Sequence, residues 1–104
     1  MWNPPTQKQL AKIPALNETR SIPLPDKKIH QHFFMGGCDW YIAEYGPAED
    51  IAWGFVILNG DHQNSEWGYI SLAELRKVRK GFVEVDREIS WKPCKASTIK
   101  NIKC

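Results

Sequence analysis

Cys38-Asp39-Trp40-Tyr41-Ile42-Ala43-Glu44-Tyr45, the loop Gly46-Pro47-Ala48-Glu49-Asp50 and Ile51-Ala52-Trp53-Gly54-Phe55-Val56-Ile57-Leu58 occupy the middle of the chain. Both flanks of the loop are rich in aromatic and β-branched residues, which suit a pleated, half-buried surface, and so short a loop joins antiparallel neighbours. Upstream, Ile29 to Phe34 has the same character and runs into Met35-Gly36-Gly37, where glycine can take the positive φ of a tight hairpin turn. Downstream, Asn59-Gly60 opens a polar loop, and Glu66 to Ile70 makes a fourth strand. Glu84 to Trp91 is a candidate fifth, with Val85, Ile89 and Trp91 on one face and Pro93 breaking it.

Two helices are expected around these strands. Pro4-Pro5-Thr6 can open a short one over Gln7 to Ile13, which Pro14 ends. Pro14 to Asp26 carries Pro14, Pro23 and Pro25 among Leu16, Ile22 and Leu24, and reads as an extended segment pinned by its aliphatics. After the fourth strand, Ser71-Leu72-Ala73-Glu74 has capping-box spacing, so a helix is predicted from Leu72 to about Lys80. Leu72, Leu75 and Val78 form its apolar stripe, Arg76, Lys77, Arg79 and Lys80 complement its negative end, and Gly81 stops it.

The expected class is α+β: a mainly antiparallel sheet of four to five strands in a meander, with a short N-terminal helix and one helix after the fourth strand. The 104 residues form one domain, divided into a helix and proline-rich lead-in (1–27), a core of sheet and helix (28–91) and a basic tail (92–104). With 42% hydrophobic and 25% charged residues, disordered and fibrous classes are excluded. No run approaches the roughly 18 apolar residues of a membrane span. Met1-Trp2-Asn3-Pro4-Pro5 has no basic stretch leading into an apolar one, so a cytoplasmic protein without membrane association is expected.

Charge is unevenly divided. Residues 1–70 hold 5 Lys and Arg against 8 Asp and Glu, residues 71–104 hold 9 against 4, and Lys92, Lys95, Lys100 and Lys103 have no acid among them. Such a tail is either a solvated chain end or a surface for phosphates or an acidic partner. Cys38, Cys94 and Cys104 are odd in number and lack a C-x-x-C pair, which fits reduced thiols better than a disulfide framework or a zinc knuckle.

No catalytic constellation is visible. His30 and His32 stand two apart and could share a strand face as metal ligands with Asp39 or His62, a permissive spacing that equally describes two half-exposed histidines. Asp39, Glu44, Asp61 and Glu66 offer carboxylates without the separation or environment that would mark a general acid and base. Nucleophile-elbow and glycine-rich phosphate-loop motifs are lacking, so no catalytic residue, cofactor or metal is assigned.

The unusual feature is aromatic density: nine of twelve aromatic residues lie between Phe33 and Tyr69. Alternation separates Trp40 and Ile42 from Tyr41 and Tyr45, sets Trp53, Phe55 and Ile57 opposite Gly54, Val56 and Leu58, and sets Trp67 and Tyr69 opposite Gly68 and Ile70. If the Leu72–Val78 helix and the proline-rich segment cover one face, the other presents an aromatic surface to a partner; otherwise these residues simply fill the core of a small sheet protein.

The series Ile22-Pro23-Leu24-Pro25-Asp26-Lys27-Lys28-Ile29, His32-Phe33-Phe34, Trp40-Tyr41-Ile42-Ala43-Glu44-Tyr45, Trp53-Gly54-Phe55-Val56, Glu66-Trp67-Gly68-Tyr69-Ile70-Ser71-Leu72-Ala73-Glu74-Leu75 and Val85-Asp86-Arg87-Glu88-Ile89 resembles a family of small bacterial proteins classed only as a domain of unknown function. Its members are carried largely on plasmids, phages and integrated mobile elements. The resemblance runs from about Leu16 to Pro93 and rests on the segments together. It implies a context and not a reaction, and Trp40, Tyr41, Glu44, Gly54, Trp67, Gly68, Tyr69 and Arg87 are only the positions where this chain meets the pattern. The Asp61–Ser65 loop and the lysine-rich end depart from it.

Three functions are open to such a chain. The preferred one is a non-enzymatic accessory protein of a mobile element that binds a macromolecular partner, most simply another protein, through the aromatic sheet face or the edge strand, using Tyr41, Tyr45, Trp53, Phe55, Trp67 and Tyr69. The second is a nucleic-acid binder whose Arg76, Lys77, Arg79 and Lys80, with the Lys92–Lys103 tail, contact phosphates while an aromatic ring stacks on bases. The third is a small metal-dependent hydrolase using the His30/His32 face.

Overall fold

The computed structural model describes every residue from Met1 to Cys104. The chain begins with α1 (Gln7–Ala11), whose start is a reciprocal capping box: the Gln9 amide donates to Thr6 Oγ1 at 3.1 Å and the Thr6 amide to Gln9 Oε1 at 2.8 Å. The lead-in is not the extended segment expected: the Glu18, Arg20 and Ile22 amides donate to the Ala15, Asn17 and Thr19 carbonyls in successive turns, and a 3₁₀ turn follows at Leu24–Asp26. There follow β1 (Lys28–Ile29), β2 (Gln31–Met35), β3 (Cys38–Gly46), β4 (Ile51–Ile57), β5 (Glu66–Ser71), α2 (Leu72–Leu75), β6 (Arg79–Lys80), β7 (Val83–Glu84), β8 (Asp86–Arg87) and β9 (Cys94–Lys95).

The fold is α+β. A five-stranded antiparallel sheet has the order β5-β4-β3-β2-β8, so β2 to β5 form the expected meander and β8 returns beside β2. The turn at Gly36, with φ of 56°, closes β2 onto β3. Helix α2 follows β5, the fourth strand of this sheet in chain order. The pairs β1–β9 and β6–β7 are separate two-stranded ribbons.

Both faces of the sheet are packed. On the first, Phe33, Trp40, Ile42, Tyr45, Ala52 and Ile70 meet Leu10 and Ile13 of the N-terminal region, Leu72 and Leu75 of α2, and Val85. On the second, Tyr41, Ala43, Phe55 and Ile57 are covered by Ile29, Ala96 and Ile102, with Trp91 and Ile99 at the margin. The segment from Lys92 onward is therefore no frayed end: its lysines face solvent while its small and aliphatic residues close the second core. The Trp67 indole N–H donates to the Lys103 carbonyl at 3.0 Å and holds that cover down.

One irregularity organises the site described below. Pairing of β3 with β4 runs in step from Asp39↔Ile57 to Ile42↔Gly54, then skips Ala43 and resumes at Glu44↔Trp53 and Tyr45↔Ala52. An extra residue in one strand reverses the facing of everything beyond it. Tyr45 was expected to share the face of Tyr41; the bulge instead places it with Trp40 and Ile42. Glu44 moves the other way, onto the face of Trp53. The bulge requires glycine opposite it, because a Cβ on Gly54 would lie 1.8 Å from the Tyr41 carbonyl oxygen.

Three element boundaries depart from expectation. Helix α2 ends at Leu75 and does not reach Lys80: after two tight turns the chain enters β6, and Gly81, with φ of 66°, is the first loop residue of the β6–β7 hairpin instead of a helix stop. A positive-φ glycine serves either purpose, and the Phe82-Val83 that follows favours a strand. The run Glu84 to Trp91 is not one strand, since its pairing passes from β6 to β2 and stops at Arg87. Val85 is consequently buried in the first core, Trp91 packs on the second, and Ile89 is exposed. The first expected strand, finally, breaks at His30, where pairing changes from β9 to β3.

Candidate functional site

The sheet has two edges in different states. At β8 the edge is two residues long and covered: the Trp2 amide donates to the Val85 carbonyl at 2.8 Å and Arg87 Nε to the Asn3 carbonyl at 2.7 Å. At β5 the edge is six residues long, and no backbone hydrogen bond from elsewhere in the chain reaches its outer side. In an antiparallel ladder alternate residues bond to the inner neighbour, so half of β5 directs its N–H and C=O groups outward. Of the usual protections of an exposed edge the strand has one charge, Glu66 at its start, and no lysine, proline or bulge.

A cleft lies on each side of this edge. The first, of about 440 Å³, is lined by Arg20, Leu24, Lys27, Glu44, Trp53 and Tyr69. Trp53 and Tyr69 are direct partners across the β4–β5 ladder, and Trp53 stacks on Trp67 with ring centroids 5.1 Å apart. The polar floor is buried and satisfied. Glu44 Oε1 accepts from the Asn17 amide at 2.8 Å, Glu44 Oε2 accepts from the Thr19 amide and hydroxyl, and Lys27 Nζ donates to the Thr19 carbonyl and to Thr19 Oγ1. Lys27 Nζ also stands 5.4 Å from the centre of the Trp53 ring. This network ties the lead-in to the sheet, and it exists because the bulge turned Glu44 to this face.

The second cleft, of about 390 Å³, borders Val56, Leu58, Asp61, Glu66, Gly68 and Tyr69. Val56 and Gly68 have opposite parity to Trp53 and Tyr69, so the two clefts open on opposite faces of the β4–β5 pair. Gly68 leaves it unfilled: a Cβ there would meet nothing within 4 Å. Asp61 at its rim is held below the ordinary carboxylate range by hydrogen bonds from the Asn64 side chain and amide, and is a fixed negative charge.

The partner-binding residues read from the sequence thus divide. Tyr41, Tyr45 and Phe55 are buried, Trp53 and Trp67 are half-buried, and Tyr69 is 69% exposed between the clefts. Among the basic residues, Arg76 is engaged by Asp50, whereas Lys77, Arg79 and Lys80 are exposed. His30 and His32 do not form a pair. His32 Nε2 faces Asp39 Oδ1 and His32 Nδ1 faces Glu88 Oε1, each at 2.8 Å, with Tyr41 stacked at 4.4 Å, so both ring nitrogens are occupied. His30 lies at the break between β1 and β2, and burial, aided by the charge of Lys28, lowers its pKa. The cysteines are free thiols; Cys38 is buried and accepts from the Asn59 amide.

No family model, curated protein or solved structure matches this chain. An edge strand was among the surfaces read from the sequence, but which edge stays open, and the emptiness at Gly68, depend on what the rest of the chain leaves uncovered. The available signal was a strand of alternating large and small residues, Trp67-Gly68-Tyr69, whose one charge, Glu66, stands at its start.

Proposed function

We propose that this chain is a non-enzymatic interaction module, the accessory protein of a mobile element that the resemblance implies, and that it takes an extended segment of a partner protein as an added strand along β5. The observation that carries this reading is the unpaired six-residue edge, with Tyr69 exposed on it between two clefts. Strand addition uses these parts: main-chain hydrogen bonds supply affinity, and pockets for alternate side chains supply selectivity. The added strand would place successive side chains toward the Trp53/Tyr69 cleft and the Val56/Gly68 cleft in turn.

The test is selection of peptides from a random display library on the wild-type chain, followed by calorimetry and amide hydrogen exchange. Extended peptides that slow exchange of the residue 66–71 amides, and bind at least about tenfold more weakly to Gly68→Glu and to Tyr69→Ala, support it. Gly68→Glu fills the second cleft from an open position, so its fold is expected to survive. Selected peptides that bind both variants as tightly as wild type would refute it, as would selection that yields none.

A further inference from the structure

The β6–β7 hairpin carries a feature that the β5 reading does not use. Arg79↔Glu84 and Lys80↔Val83 pair across it, and the two-residue loop Gly81-Phe82 places the Phe82 side chain at the tip, 99% exposed. No other large apolar side chain of this protein stands so fully in solvent. Lys77, Arg79 and Lys80 lead into it and are all exposed. Glu84 is bonded to the N-terminal ammonium at 2.5 Å and pairs with Arg79 at 3.6 Å, while Lys77 and Lys80 have no ion pair. Arg76, which the sequence placed in the same cluster, is neutralised by Asp50. In the C-terminal segment Lys95 faces Asp26 at 3.7 Å and the exposed lysines Lys92, Lys100 and Lys103 are spread along the chain, whereas Lys77, Arg79 and Lys80 fall within four consecutive residues.

We propose that this hairpin is a binding site for single-stranded nucleic acid, in which Phe82 stacks on an unpaired base and Lys77, Arg79 and Lys80 contact the flanking phosphates. Charge selects a polyanion, and an aromatic face beside cations suits a chain that alternates phosphate with flat bases. The single ring selects the unpaired form. Inserting a side chain into a duplex must first unstack a base step, whereas an unpaired base offers its face at no such cost. This places nucleic-acid binding on a hairpin tip and not on a helix end, and it stands independently of the β5 reading.

The experiment is fluorescence anisotropy of the full chain with labelled oligodeoxythymidine over a series of salt concentrations, with the same strand annealed to oligodeoxyadenosine and with phosphatidylserine vesicles as alternatives. Binding to the single strand should weaken with salt, and replacing Lys77, Arg79 and Lys80 by alanine should reduce the log–log slope by about 2, near 0.7 for each phosphate no longer neutralised. Phe82→Ala should weaken binding roughly tenfold with the slope unchanged, as removal of one stacked base does, while Phe82→Trp retains it. Phe82 touches nothing in the fold, so unchanged thermal melting is expected of both variants. Equal or tighter binding to the duplex, association with the vesicles but not with the oligonucleotide, or a Phe82→Ala variant as good as wild type would overturn the proposal.

Discussion

Tyr69 stands directly across the β4–β5 ladder from Trp53, yet Tyr69 is 69% exposed while Trp53 is packed against Trp67 and near Lys27. Two adjacent aromatic residues therefore do different work. Tyr69→Ala removes a side chain that contributes little to the core and should change stability by no more than about 0.5 kcal/mol. Trp53→Ala opens the stacked pair and should cost about 3 kcal/mol. Urea unfolding of both variants distinguishes them, and equal losses would place Tyr69 in the core.

Gly54→Ala should be among the most damaging single substitutions in the chain. Its new Cβ would overlap the Tyr41 carbonyl oxygen at 1.8 Å, and backbone on the central strand has nowhere to yield. A loss of about 4 kcal/mol or more is expected, in the range of severe steric faults. Gly68→Ala, in open space, is the control and should stay within about 0.5 kcal/mol of wild type. Soluble yield and urea midpoints report both.

Ile102 lies two residues from the end of the chain and is only 7% exposed. Because it covers the second core, Ile102→Ala should cost about 2–4 kcal/mol, whereas Lys100→Ala should be nearly neutral. A dispensable tail would show no difference between them in guanidinium unfolding.

Asp50 links the β3–β4 turn to α2. Tyr45 Oη donates to Asp50 Oδ1 at 2.5 Å, the Arg76 guanidinium pairs with the same carboxylate, and the Leu72 amide donates to the Asp50 carbonyl at 3.0 Å. Burial alone would raise the carboxyl's pKa, but the hydrogen bonds from Arg76 and Tyr45 and the guanidinium charge outweigh it and leave the pKa lowered. The folded value is below the unfolded one, so the stabilisation is complete above the ordinary aspartate range, near pH 4, and is lost as pH falls through the folded value. Asp50→Asn should be less stable than wild type at neutral pH, with the gap narrowing in acid. Thermal melts over an acid pH series measure it, and a constant gap would contradict the assignment.

Much of the fold was legible locally. The meander follows from alternating large residues between short loops, and the short helices from Pro4-Pro5-Thr6 ahead of Gln7 and from Ser71-x-x-Glu74, because turn chemistry and capping involve neighbours in the chain. The extent of α2 was not, since Gly81 fits a helix stop and a hairpin loop equally well, and only the pairing of Arg79 with Glu84 separates them. The candidate site was legible in its residue types and not in their placement. Trp53, Trp67 and Tyr69 were visible as an aromatic group, but Tyr41 and Phe55 belong to the core because a distant segment covers them.

Composition and local pattern suffice for an α+β protein with an antiparallel meander, because strand alternation and turn preferences act over a few residues. Long-range packing settled the rest. The bulge at Ala43 sends Tyr45 and Glu44 to opposite faces, Ala96 and Ile102 close the second core, and Trp2 covers the β8 edge while no backbone hydrogen bond reaches the outer side of β5. A side chain's facing beyond a bulge, and the exposure of an edge, depend on the partner strand and on which distant segment arrives to bury it, and neither is a property of the residues on either side of it.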